Sequence, residues 1–240
     1  MTEVFVGWDQ REAEVYDVCA HSMRRHSRRA DLSIAPLKIA ELRSRGFYRR
    51  PTEVRDGRLW DVISEAPMST EFAITRFLVP FLGSADWALF CDCDFLWLAD
   101  VADLFALADP RFAVMCVKHD HRPPETTKMD NQLQVRYARK NWSSLVLWNR
   151  RHPANAALTV DVVNTVPGRD LHRFFWLTEE QIGPLPEGWN WLEGHSRPEV
   201  PRKAIHYTRG GPWFEHLAGI AHADLWLAER EDLRQRLRKG

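Results

Sequence analysis

The chain has 240 residues, 45% of them apolar and 28% charged, with Lys plus Arg and Asp plus Glu equal at 33 each. That length supports one large α/β domain with a buried core, a reading of 1–240 as a single unit. The composition excludes general disorder, and a formal net charge of zero leaves no bulk field to draw in nucleic acid or a membrane.

Glu3 to Trp8 reads as an apolar first strand, and Asp9 with Glu12 three residues later is a helix-start box. Val15, Val18, Cys19, Ser22, Met23 and His26 recur at helical spacing, so this strand runs directly into a helix. Leu32 to Ile39 is a second strand, and Arg43 to Asp61, polar, basic and aromatic, reads as a loop with little regular structure. Ser69 is placed to cap a helix that buries Phe72, Ala73, Phe77 and Leu78 and kinks or stops near Pro80. The stretch Trp87 to Trp97 holds an apolar strand that ends in two aspartates one residue apart, Asp92 and Asp94, followed by a helical piece around Val101 to Ala108 and a strand from Phe112 to Val117.

The polar, Pro-containing segment His119 to Gln134 suits a binding loop. Lys118-His119-Asp120-His121 inside it reads as polar loop rather than a second metal cluster. Ser144 to Trp148 is a strand, Pro153 to Val163 a helix, Leu185 to Leu192 an irregular loop and Ala204 to Tyr207 a short strand. A basic helix over 224–240 closes the chain, with Trp226, Leu233 and Leu237 on one side. Strands alternating with helices predict a Rossmann-like, mainly parallel sheet flanked by helices, with ligands at the carboxyl ends of its strands. Cys19, Cys91, Cys93 and Cys116 lack zinc-type spacing and sit in apolar segments, which predicts buried free thiols in a reducing compartment. With no charged-then-apolar leader and no bilayer-length run, a cytoplasmic location is expected. Eleven tryptophans is a high count, and most read as core or rim.

Asp92 and Asp94 carry the clearest chemistry. Side chains alternate across an extended segment, so the two carboxylates leave on one side and Cys93 on the other. Like charges that close repel unless a cation lies between them. A hard divalent ion with oxygen ligands, Mn²⁺ or Mg²⁺ carrying a diphosphate, meets that need.

The ordered series Val4-Phe5-Val6-Gly7-Trp8-Asp9, Ser69 to Leu82 with Arg76, Phe90-Cys91-Asp92-Cys93-Asp94, Asn141 to Asn149, Leu185-Pro186-Glu187-Gly188-Trp189-Asn190 and His206 to Trp213 resembles family 8-like retaining glycosyltransferases of the GT-A fold. The series covers most of the chain. The resemblance implies a single GT-A domain that transfers a sugar from a nucleotide-diphosphate donor, a UDP-sugar being favoured, to a hydroxyl on a glycan, lipid-linked or other acceptor, with retention of configuration. It implies Asp92, Asp94 and His206 as metal ligands. It also implies donor contacts from Gly7, Trp8, Asp9, Arg76, Asp92 and Cys93, and from Arg209, Gly210, Gly211 and Trp213. Sugar-side contacts fall to Asn141, Ser143, Trp189 and Asn190, with Lys128 and Gln132 placed to bind hydroxyls.

Two departures from the family pattern stand out. Arg209 occupies the His-led motif where a lysine belongs later in it, so the phosphate role passes to arginine. Thr178-Glu179-Glu180-Gln181 replaces the Asp-Gln-Asp-like segment, leaving Glu179 and Glu180 as candidate catalytic carboxylates or, equally, an exposed helix start. Two other functions stay open: a haloacid-dehalogenase-type phosphohydrolase, which also follows an apolar strand with Asp-x-Asp, and a non-catalytic nucleotide-sugar binding module. The basic end of the terminal helix offers weak peripheral contact with anionic headgroups, offset in part by Glu229, Glu231 and Asp232.

Overall fold

The structure, a computed structural model, describes residues 1–119, 139 and 141–239. Lys128 and Gln132, and most of the segment expected to form a binding loop, lie outside the described residues. In chain order the regular elements are β1 (Thr2–Gly7), α1 (Ala13–His26), β2 (Leu32–Leu37), α2 (Ile39–Ser44), β3 (Thr52–Arg55), β4 (Arg58–Asp61) and β5 (Ala66–Pro67). Then come α3 (Phe72–Thr75), α4 (Val79–Leu82), β6 (Trp87–Cys91), β7 (Phe95–Trp97), α5 (Val101–Phe105), β8 (Val114–Cys116) and β9 (Leu145–Asn149). The rest are α6 (Val160–Thr165), α7 (Gly168–His172), β10 (Ile182–Pro184), β11 (Trp191–Leu192), β12 (Ala204–His206) and α8 (Ala223–Lys239).

The central sheet has the strand order β10-β8-β9-β6-β1-β2 and is mainly parallel, β9 alone running against its neighbours β6 and β8. Its inner strands are buried on both faces, which is why their sequences are near-continuous apolar runs and not alternating ones. Helix α1 packs against β7 and α8, burying the predicted stripe of Val15, Val18, Cys19, Ser22 and Met23. All four cysteines are free and buried, and Trp97, Trp148, Trp189 and Trp226 are fully buried core residues. The mixed α/β single domain expected from the sequence is therefore present.

A second small sheet, β11-β12-β7, positions the site. In it β12 pairs antiparallel with β7, setting His206 opposite Phe95 and, by the bond from Tyr207 N to the Asp94 carbonyl, beside the aspartate pair.

Several local expectations are corrected. The stretch read as a loop from Arg43 to Asp61 contains a hairpin, β3 with β4, turned by Asp56-Gly57 at φ values of 50° and 74°. Asp-Gly tolerates this left-handed pair of dihedrals and is a hairpin signal in its own right. The hairpin is tied down by Arg50, which is fully buried, pairs with Asp61 and donates to the carbonyls of Val163 and Val166.

Ser69 does not cap the next helix: α3 begins at Phe72, and it is the Ser69 carbonyl that is used, accepting from Arg11. The predicted helix Pro153 to Val163 breaks into a 3₁₀ turn and α6, because the Thr159 hydroxyl caps a new start at Val162 N. Leu185 to Leu192 ends in the short strand β11. On α8, Leu237 is 72% exposed instead of facing the core with Trp226.

Candidate active site

The carboxyl ends of β1 and β6, α7, and the turn after β12 surround a cavity of about 460 Å³, within the usual range for small-molecule sites. Asp92 enters it because the apolar strand β6 ends there; its main-chain N–H bonds the Ser144 carbonyl. Arg76, buried on the turn between α3 and α4, reaches Asp92 Oδ1 at 2.8 Å and donates to the Ser143 carbonyl at 2.9 Å. Asp94 Oδ1 is buried without a hydrogen-bond donor, and His206 Nε2 lies 3.3 Å from it. The His206 ring is stacked on Phe95 at 4.4 Å, and its Nδ1 lies 2.9 Å from Asn190 Oδ1. One ligand atom from each of Asp92, Asp94 and His206 lies within 4.8 Å of the other two. Two carboxylate oxygens and an imidazole nitrogen, one of the oxygens lacking a hydrogen-bond donor, form a donor set suited to Mn²⁺ or Mg²⁺.

The charges around the cavity pair off. Arg11 is held by Asp9, Arg76 by Asp92, and Arg209 by the buried Glu193 at 3.0 Å. Asp94 and Glu12 are the lining carboxylates that no arginine holds in an ion pair among the described residues. Burial first, then the neighbouring Asp94 and Asp9, push the Glu12 carboxyl up to about 7, and Cys93 Sγ lies 3.7 Å from it. Burial likewise drives the Cys93 thiol well above its ordinary value.

The structure sorts the sequence candidates. Arg76, Asp92, Asp94, Asn141, Ser143, His206, Arg209 and Gly210 line the cavity. Asn141 sits at φ 64°, and its side-chain Nδ2 is buried without a hydrogen bond. Ser143 Oγ meets His172 Nδ1 at 2.7 Å.

Other candidates lie outside the lining. Gly7 lets the Phe72 ring lie on β1, where a Cβ would stand 2.5 Å from that ring, and Trp8 lies under Lys38. Asp9 is fully buried, with both oxygens taken by Arg11 and by Glu71 N. Burial opposes its charge, but the Arg11 bonds outweigh this and hold the carboxyl below its ordinary value. Asp9 caps the 3₁₀ turn, while the Glu12 side chain, expected to return to it in a capping box, turns into the cavity.

Cys93 points into the core, Gly211 makes room for Trp213, and Trp213 packs on Tyr207 and Trp226. Trp189 and Asn190 are buried outside the lining. Glu179 and Glu180 open an exposed 3₁₀ turn closed by a Thr178–Gln181 capping box; neither lines the cavity, and Glu179 pairs with Lys118 and Arg139.

The lining also holds residues that sequence reasoning passed over: Glu12, Ser144, His172, Phe214 and His216. Glu12 had a signal, since a glutamate after a capping aspartate has two possible roles. His172 and His216 had none, because isolated histidines in polar segments look alike until the chain folds.

Protein CDI from Arabidopsis thaliana is 47% identical to this chain over 242 residues, which span 98% of the chain and 88% of the plant protein. No protein-family model matches the chain. The bifunctional glycosyltransferase WbbM has a TM-score of 0.63 at 12% identity, covering 98% of this chain and 51% of its own. The glycosyltransferase GlyE of Streptococcus pneumoniae TIGR4 gives 0.61 at 13%, covering 100% and 64%. The galactosyltransferase LgtC, crystallised with donor and acceptor sugar analogs, gives 0.53 at 12% and covers 96% of each chain. The chain thus spans about half the length of WbbM and less than two thirds of GlyE. These likenesses show the fold, that of GT-A-type glycosyltransferases.

Proposed function

The chain belongs to the family of Protein CDI from Arabidopsis thaliana, and for this member we propose a metal-dependent glycosyltransferase that moves a sugar from a nucleotide-diphosphate donor, a UDP-sugar by preference, to a hydroxyl acceptor with retention of configuration. One observation carries the reading. Each cavity arginine already has a carboxylate partner, while Asp94 is left in excess beside Glu12, whose carboxyl is pushed up to about 7. Such a site repels a bare diphosphate and admits one that arrives with a divalent cation. Asp92, Asp94 and His206 would hold that cation, Mn²⁺ or Mg²⁺. When bound, it offsets the charge that builds on the departing diphosphate.

The protein's own groups do the rest. Arg76 fixes the rotamer of Asp92 through a short ion pair. Arg209, braced by Glu193 and lying against Gly194, has a buried Nε–H with no acceptor, a donor suited to a phosphate oxygen. The unbonded Asn141 Nδ2 supports a contact to a sugar hydroxyl. Glu12, Asp92 and Asp94 are the lining carboxylates among the described residues, so retention in this proposal does not call on Glu179 or Glu180. We read 1–240 as one catalytic domain with a basic helix over 224–240. No helix among the described residues is long and apolar enough to cross a membrane. Four buried free thiols fit a reducing, cytoplasmic setting.

Nucleotide release from a panel of nucleotide-sugars, with and without Mn²⁺, tests the proposal. Mn²⁺-dependent release is expected from the wild type, and Asp94→Asn should abolish it while leaving the protein folded. Metal-supported phosphate release from simple phosphomonoesters would favour the phosphohydrolase. Binding without turnover would favour the binding module. Full activity in Asp94→Asn would remove the site assignment.

A further inference from the structure

The stacking of His206 on Phe95 fixes the plane of its ring but not which nitrogen carries the proton. A chain of buried hydrogen bonds does. The Asn141 carbonyl can only accept, so the Ser144 hydroxyl, 2.7 Å away, commits its proton there. The Ser144 oxygen must then accept from the group on its other side, Asn190, at 2.9 Å. That orients the amide: Nδ2 faces Ser144, with a further 3.5 Å approach to the Asn141 carbonyl, and Oδ1 faces His206 Nδ1 at 2.9 Å. An amide oxygen only accepts, so Nδ1 bears the proton. In the neutral ring the lone pair is left on Nε2, 3.3 Å from Asp94 Oδ1.

We infer that Asn190 is a positioning residue: through Ser144 and the main chain of Asn141 it sets the tautomer of His206, so that Nε2 presents a lone pair to the cation that Asp92 and Asp94 share. This rests on the cation site proposed above. A hydrogen-bond acceptor behind a metal-binding histidine fixes the ring and raises its basicity. Asn190 is fully buried and Ser144 and His206 nearly so, so removing a link leaves a buried polar group unsatisfied. Ser144 ties the two halves of the site together, because its carbonyl also receives the Asp92 N–H at 2.9 Å. Asn190, expected to touch substrate, thus acts on the opposite side of the histidine.

The test begins with the metal-free wild type and needs no variant that has to fold. Proton–nitrogen multiple-bond NMR on ¹⁵N-histidine protein, recorded above the imidazole titration, reads the tautomer, and loss of a signal in His206→Asn assigns it among the ten histidines. Nδ1–H with a bare Nε2 is expected; Nε2–H would overturn the inference. Mn²⁺ binding is then followed by electron paramagnetic resonance. Asn190→Leu should lose about 10–100-fold in Mn²⁺ affinity, and Asn190→Asp, whose carboxylate accepts the same Nδ1–H, should restore it. Wild-type affinity in Asn190→Leu, or no recovery in a folded Asn190→Asp, would overturn the role. A wild type that takes up no Mn²⁺ would instead sink the cation site itself, whichever tautomer is found.

Discussion

Arg76→Met isolates the electrostatics of the site. Methionine keeps most of the stem that packs over Phe72 and Phe90 but removes the charge 2.8 Å from Asp92. With an effective dielectric of ~20, the gross attraction at that distance is about 6 kcal/mol. Arg76 and Asp92 are both largely buried, with side chains 7% and 14% exposed, so solvent recovers little of it. Breaking such a pair costs about 3–5 kcal/mol net, because the buried carboxylate loses the guanidinium charge that faces it. At about 2–4 °C per kcal/mol for a domain of this size, the metal-free variant should melt about 6–20 °C below the wild type.

Mn²⁺ should then recover part of the loss. A ligand at about 100 times its dissociation constant adds about 2.7 kcal/mol, or about 5–11 °C on the same scale. Differential scanning fluorimetry with chelator and with Mn²⁺ reads both effects. The solvent-exposed Arg111–Asp109 pair provides the control, since Arg111→Met should melt with the wild type. If Arg76→Met melts with the wild type and Mn²⁺ shifts neither protein, Asp92 and Asp94 do not form the cation-compensated pair argued for above.

Other substitutions probe the scaffold. Asp61→Asn leaves the fully buried Arg50 without its carboxylate and should cost about 3–5 kcal/mol in urea unfolding; a loss under about 1 kcal/mol would mean the hairpin is anchored elsewhere. Glu3 is buried, which alone would raise its pKa, but bonds from Ser84 N, Ser84 Oγ and Ala85 N outweigh burial and hold it below the ordinary 4.5. The unfolded chain therefore binds the proton first, so Glu3 stabilises the fold above about pH 4.5 and loses that contribution as pH falls through its lower folded value. Urea midpoints at neutral and acid pH should accordingly differ less for Glu3→Gln than for the wild type, and an equal acid loss in both would contradict the assignment.

The sheet was readable from the sequence because β1, β6 and β9 are buried on both faces and so are near-continuous apolar runs. The α1 stripe was readable because one helix face meets the core at a fixed period. The hairpin turned by Asp56-Gly57 was legible in principle, and was obscured by the basic and aromatic residues around it. Asp9 and Glu12 show the limit of local reasoning. Their capping pattern is the same whichever way Glu12 points, and the choice between helix start and cavity depends on Asp94 and Cys93, more than eighty positions away.

By itself, the order of residues determined an α/β domain with two like-charged carboxylates at a strand end, since alternation and burial period act over a few neighbours. Only the tertiary structure decided what answers those charges. Pairing of β12 with β7 brings His206 to Asp94, and packing of the turn before α4 brings Arg76 to Asp92. Burial of Asn190 between Ser144 and His206 sets it behind the histidine, outside the cavity lining. Ion pairs and hydrogen bonds act over a few ångströms in space, and sequence separation does not record which side chains will share that distance.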